Sequence, residues 1–271
     1  MMDKLDTQDF HVVYRISDKG YNPGKLKVPN ATKEHCLQNA VEQFGRENIS
    51  VIADNCSEGL VSSLKAQNFR SLEETHLGNS KSFKYAITQV INSSYNDSDI
   101  IYFCEDDYLH LPGSMDLIRE GLGIADYVTL YDHPDQYMSF TLRRRGAGPL
   151  NRWGLHRWRI FLTEHSHWKE LPTTTMTFAA RAKTLKEDYK LLMKNPDSGV
   201  PDDFNMFLRL TKQRSLVDAV KVLPMWRSGL LIFMNNFAPF RKKRLLISCI
   251  PGRATHCENK WLSPLTDWTK I

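Results

Sequence analysis

DIIYFCEDDYL, residues 99–109, is the stretch on which the reading of this chain turns: an apolar run, Ile100 to Cys104, stops on three consecutive carboxylates, Glu105, Asp106 and Asp107. A continuous apolar run suits a central parallel strand, because helices cover both of its faces and both sets of alternating side chains are buried. Three adjacent acids repel one another, so a cation from outside the chain is the simplest compensation. Alternation along a strand puts Asp106 on the side opposite Glu105 and Asp107, so all three cannot hold one ion. Capping of the following helix is the ordinary alternative, but that helix is expected to begin near Pro112, several residues too late. A hard divalent cation with Asp107 as its main ligand is the favoured reading.

The surrounding sequence repeats a strand-then-helix rhythm. FHVVYRI (10–16) is β-branched and aromatic, KEHCLQNAVEQF (33–44) has helical spacing through Cys36, Leu37, Ala40, Val41 and Phe44, and ISVIAD (49–54) is a second apolar strand. Ser57 is placed to cap a helix over 57–67, EETHL (73–77) reads as a short strand, and 79–94 carries Phe83, Ile87, Val90 and Ile91 on one helical face. Beyond the acids, 112–124 reads as a helix with Pro112 in its first turn, and DYVTLYD (126–132) as a strand. Residues 133–151, with Arg143, Arg144 and Arg145, read as a long loop. Two strands with a turn near Lys169 to Pro172 are expected within 157–185, then helices over 182–194 and 202–213, and an irregular aromatic and basic tail from Lys221.

Repeated βα units predict an α/β fold, an αβα sandwich of Rossmann type with a central, mostly parallel sheet. The length of 271 residues suits one domain with extra elements. In such sheets the ligand crevice lies beyond the carboxyl ends of the strands. The acids at 105–107 fall there, as do Arg15, Ser17 and Lys19 after the first strand and Asp54 and Asn55 after the second. Any one of these polar residues would be ordinary in a turn or cap; several strand ends polar together point to a site.

Composition narrows the class. Hydrophobic content of 41% and charged content of 25% belong to a folded globular chain. The net charge of +5 falls in short clusters such as Arg241, Lys242, Lys243 and Arg244, without aromatic residues interleaved along one element. That pattern reads as solvated surface and argues against nucleic-acid binding. Five widely spaced cysteines without CxxC read as reduced, mostly buried thiols, and His165 and His167 as neighbours on one face of a strand. MMDKLDTQDF lacks a signal-peptide pattern and GLLIFM (229–234) is too short to span a bilayer, so a cytoplasmic setting is expected, with peripheral membrane contact left open.

In this context the strand ending in EDD resembles the DxD-type motif of GT-A-fold glycosyltransferases, and its spelling is similar to that of inverting N-acetylglucosaminyltransferases. The likeness runs from residue 10 to about residue 260. PDD (201–203) opens a helix where that fold has an acidic xED motif, and His256 in GRATHCENKW stands where it has a C-terminal histidine at the metal. The resemblance implies a GT-A-like domain over 1–271, with 10–110 as the nucleotide-sugar-binding half and 111–271 as the acceptor half. It implies Mn²⁺ or Mg²⁺ at Asp107 and His256, with Asp203 as the base that deprotonates the acceptor and Asp202 as second choice. Donor contacts would come from Arg15, Ser17, Lys19, Asp54, Ser80, Lys81, Glu105 and Asp106. The partners implied are a nucleotide-sugar donor and a glycan or lipid-linked acceptor; oligomeric state is left open. On its own His256 would read as a surface or satisfied core histidine. TTTMTFAAR (173–181) departs from the family's glycine-rich acceptor segment, and PDD replaces xED.

Two other functions share parts of this pattern. A nucleotidyltransferase also places a metal at a strand end, but YRISDKGYNPGK lacks the compact glycine-rich loop expected after its first strand. A non-catalytic nucleotide- or carbohydrate-binding module would keep the fold and lose the chemistry. Inversion is favoured because PDD supplies a base and no separate nucleophile signature is present.

Overall fold

The computed structural model describes residues 9–19, 27–137, 159–197, 199, 201–212 and 242–271. Strands β1 (Phe10–Ile16), β2 (Ile49–Asp54), β3 (Ser71–Thr75) and β4 (Ile100–Glu105) pair in parallel in the order β3-β2-β1-β4. Every residue of β1 is buried, as a strand with a helical layer on each face requires. β9 (Phe178–Arg181) lies antiparallel between β4 and β6 (Tyr127–Thr129), and β10 (Leu246–Ile250), β8 (His167–Glu170) and β7 (Ile160–Leu162) complete a nine-stranded sheet. β10 runs parallel to β6, whereas β8 runs against it. The sheet is therefore mixed but mostly parallel, the α/β class expected from the sequence.

Helices α1 (Lys33–Phe44), α2 (Glu58–Lys65) and α4 (Ser114–Leu122) pack on one face through Phe44, Leu64 and Ile118 against Tyr14, Tyr102 and Trp168. The other face carries α3 (Asn79–Asn92), α5 (Ala182–Leu192) and α6 (Asp203–Thr211), with Phe83 and Phe207 against Phe103 and Phe178. Helix starts are sealed by side chains: Thr32 accepts the His35 N–H at 3.1 Å, and Ser57 accepts that of Leu60 at 3.4 Å. Gly121 lets α4 lie close to the sheet, since a Cβ there would stand 2.8 Å from the Trp168 ring.

Several expectations need correction. β3 sits two residues before the expected EETHL; SLEET is a half-exposed edge strand, so its apolar pattern could not fix its position. Pro112 precedes α4 rather than entering it, and Gly113 in the left-handed region is the N-cap. Three strands rather than two lie within 157–185: β7 and β8 turn at Thr163–Ser166, and the break expected near Lys169 to Pro172 comes just after β8, which holds Lys169 buried. His165 therefore sits in a turn, paired with Glu120, and only His167 is on a strand. The tail is less irregular than expected, since it contains β10 and β11 (Ala254–His256). Arg244 is not solvated surface: it is 2% exposed and binds Asp126, Glu187 and Asp188. Residues 143–145 and the segment 229–234 lie outside the described residues. All five cysteines are buried and free. Among the described residues no helix is long and apolar enough to cross a membrane.

Candidate active site at the carboxyl end of β4

Each of the three adjacent acids is drawn to a different cation. Glu105 is the register partner of Arg15 on β1, and the Arg15 guanidinium donates to its Oε1 at 2.7 Å. Arg15 is 6% exposed and also donates to Asn79 and Ser82, which anchors the start of α3. Asp106 lies in the turn that follows β4, where it accepts the Ser17 N–H at 2.7 Å and the Lys33 ammonium from the first turn of α1. Asp107 Oδ2 lies 3.1 Å from His256 Nε2 and 3.3 Å from Lys27 Nζ.

A small ladder brings His256 there. β5 (Tyr108–His110) begins directly after the acids and pairs antiparallel with β11, matching His256 to Tyr108. The Cys257 N–H then donates to the Asp107 carbonyl at 2.9 Å. Residues about 150 positions apart thus share one strand pair, and the imidazole also meets the Tyr108 ring edge-on at 5.4 Å.

Burial and charge set the protonation of the group. Burial pushes Glu105 up to about 7 despite the pull of Arg15. Asp106 is also raised by burial, more than Lys33 lowers it. Burial acts the same way on Asp107, but His256 and Lys27 prevail and hold its carboxyl well below the usual range. His256 is lowered by burial and raised further by Asp107, with a net rise. The pairing thus favours the ionised carboxylate and the protonated imidazole, and a cation bound there would compete with the imidazole proton.

The two acids of PDD divide their work. Asp202 is the N-cap of α6, accepting the Asn205 N–H at 3.2 Å and the Asn205 amide at 2.8 and 3.0 Å. Asp203 is left with the Phe204 N–H at 2.7 Å, and burial pushes its carboxyl up to about 6. It stands near enough to Glu105 to raise the latter's pKa, and near enough to feel His133.

The remaining expected donor residues are less concentrated. Ser17 joins the site through its backbone N–H, and Lys19 is exposed. Asp54 is 5% exposed, and its carboxylate is engaged by the Thr75 hydroxyl at 2.9 Å and by the Leu77 and Gly78 N–H groups at 2.7 and 2.9 Å. It shapes the loop that leads into α3. Ser80 is buried and donates to the Pro196 carbonyl, whereas Lys81 is exposed.

Sequence reasoning missed both lysines. Lys33 carried a usable signal, since a basic residue in a first helical turn opposes the helix dipole and asks for a nearby anion. Lys27 carried none. Thr175 and Thr177, inside the segment that departs from the glycine-rich pattern, support the acids from behind: Thr177 Oγ1 accepts the Glu105 N–H at 3.2 Å, and Thr175 accepts the Tyr108 hydroxyl at 2.8 Å. Asp18 was also missed; it accepts the Ser57 N–H at 2.8 Å and ties the β1 loop to α2.

No protein-family model matches the chain, and no curated protein matches it significantly. Among solved structures it is similar to S. aureus TarS 1–349 in complex with UDP, at 12% identity and a TM-score of 0.43, over 74% of this chain and 54% of that one. It is also similar to glucosyl-3-phosphoglycerate synthase from Mycobacterium tuberculosis in complex with Mg²⁺ and UDP, at 12% identity and 0.37, over 80% and 66%. A third is the galactosyltransferase LgtC in complex with donor and acceptor sugar analogs, at 9% and 0.38, over 90% and 88%. The chain spans little more than half the length of the TarS fragment.

Proposed function

We propose that this chain is a metal-dependent glycosyltransferase that moves a sugar from a nucleotide-sugar donor to a hydroxyl of a glycan or lipid-linked acceptor, with inversion. The observation that carries this reading is the division of labour among the acids: a two-ligand cation seat at Asp107 and His256 beside a separate carboxylate, Asp203, tuned to accept a proton. An octahedral ion with ligands at about 2.1 Å brings adjacent ligand atoms to roughly 3.0 Å, close to the observed 3.1 Å separation. The imidazole tips the choice toward Mn²⁺ over Mg²⁺, which prefers oxygen alone. Two protein ligands leave the rest of the shell to phosphate oxygens, and a bound cation would supply charge neutralisation to the departing diphosphate.

The chain's own residues do the rest. Lys27 and Lys33 bring positive charge to the same strand end. Arg15 holds Glu105 in place at the crevice, where a carboxyl near 7 can hydrogen-bond a donor hydroxyl. Asp203, with a pKa near 6, is mostly ionised at pH 7 yet basic enough to take the acceptor proton as the hydroxyl attacks. One base and no second nucleophile fit a single displacement. Residues 10–110 would bind the donor and 111–271 the acceptor, and the free cysteines suit a cytoplasmic setting, peripheral at a membrane where the acceptor is lipid-linked.

A panel of UDP-, GDP- and dTDP-sugars with Mn²⁺, followed by thermal shift and product release, tests the proposal. One donor should stabilise the protein only with the metal and release nucleoside diphosphate, and Asp107→Ala should lose both effects. Failure of every donor to stabilise the protein with Mn²⁺ present overturns it. Release of pyrophosphate would identify a nucleotidyltransferase, and stabilisation without release a binding module.

A further inference from the structure

The opposite ends of β1 and β4 hold a second cluster that the proposed transfer does not use. Asp9 precedes β1, Asp99 precedes β4, and the Ile100 N–H donates to the Asp9 carbonyl at 2.9 Å, which locks the two strand starts together. The parallel register sets Phe10 beside Ile100 and His11 beside Ile101. Alternation then places Asp9, His11 and Asp99 on one face of the pair. One ligand atom from each lies within 4.8 Å of the other two, and among the described residues this is the group of three or more such side chains that meets that spacing.

His11 is the informative member. It is 3% exposed, yet neither ring nitrogen has a hydrogen-bond partner. Its Nε2 lies 3.8 Å from Asp99 Oδ2, too long for a hydrogen bond. Buried polar groups are nearly always satisfied, so an imidazole with two orphan nitrogens facing two carboxylates is short of a partner. One side of the ring is covered by Tyr95 at 4.4 Å, and Arg70 lies over that same tyrosine, 5.9 Å from its centroid. The single charge of Arg70 does not balance two carboxylates. Asp99 is held in position by the Asn96 N–H at 2.8 Å, while Asp9 is exposed and gives an ion a way in.

We propose that Asp9, His11 and Asp99 bind a divalent transition-metal cation, with Zn²⁺ as the best fit, that clips the starts of β1 and β4 together. One imidazole and two carboxylates form a donor set that favours borderline cations over Mg²⁺ or Ca²⁺ and leaves a fourth tetrahedral position for water. The site lies roughly 20 Å along β4 from the EDD acids, so its role is to brace the sheet. It stands independently of the transferase reading.

Calorimetric titration of the full chain with ZnCl₂, paired with thermal melts, tests this. Zn²⁺ at a hundredfold excess over its Kd should raise Tm by about 5 °C or more. That binding should persist in Asp107→Ala, which removes the other proposed cation seat, and in that background should weaken at least tenfold when Asp9→Asn is added and vanish when His11→Gln is added. Asp9→Asn changes an exposed side chain and keeps the test valid if His11→Gln fails to fold. With Co²⁺ as a spectroscopic stand-in, Asp107→Ala should retain visible absorption that the Asp107→Ala, Asp9→Asn double variant loses. Zn²⁺ binding that disappears in Asp107→Ala, or that is unchanged when Asp9→Asn is added to Asp107→Ala, overturns the proposal.

Discussion

The two ends of the β1–β4 pair carry similar side chains in opposite electrostatic states. At the carboxyl end Glu105, Asp106 and Asp107 each face a cation from a different element: Arg15 on β1, Lys33 on α1, and His256 on β11 together with Lys27. At the amino end Asp9 and Asp99 flank a buried histidine with no hydrogen bond. Acidity alone therefore does not mark the working end of a sheet. What distinguishes the carboxyl end is that burial and counter-charge spread its carboxyls apart, one well below the usual range and two near 6 to 7. Groups of one type held at different protonation states are what acid–base chemistry near neutral pH requires.

The contrast breaks most visibly at Asp107. Under the proposed function, Asp107→Ala should lower donor turnover by about a thousandfold or more, read as nucleoside diphosphate release, because it removes the anionic half of the proposed cation seat. Asp203→Asn should lower kcat by about a hundredfold or more with little change in donor KM. In the wild type, activity should fall as pH drops below about 6, where Asp203 gains its proton, and that limb should be missing from the residual rate of Asp203→Asn.

Smaller effects sharpen the comparison through stability. Asp9→Asn, measured without added metal, should change stability by no more than about 0.5 kcal/mol, since Asp9 is exposed. His110 adds a pH signature. It is fully buried beside Tyr102, 2.7 Å from that hydroxyl, and burial lowers its pKa to about 3. The unfolded chain takes up a proton below its ordinary value near 6.5 and the folded chain refuses it, so stability is lost as pH falls from about 6.5 toward 3. The loss at pH 5 should be about 2 kcal/mol, and His110→Phe should flatten that slope in melts followed against pH.

The first half of the chain was readable because its elements are long and individually patterned: β1, α1 and β2 fall at the residues their apolar spacing indicated. Legibility declined where strands shorten. β5, β9 and β11 have three or four residues, too few for alternation to show, and no sequence period encodes whether a strand runs parallel. The site followed the same rule. Asp106 takes partners different from those of its neighbours, but in a turn beyond β4 where strand alternation no longer applies, and Asp202, offered only as a second base, is the cap of its helix. His256 entered only through a family resemblance, because its position depends on the β5–β11 ladder. Lys27 depends on tertiary contact and has no local signature.

That ladder has a consequence for synthesis. Because the Asp107 carboxylate meets His256 only after β11 has zipped onto β5, a ribosome-bound chain that has exposed its first 250 residues possesses a nearly finished sheet but half a cation seat. Under the reading proposed above, the cation seat forms only once residues 254–256 have emerged and paired with β5, so the order of synthesis places the metal site after the sheet that carries it.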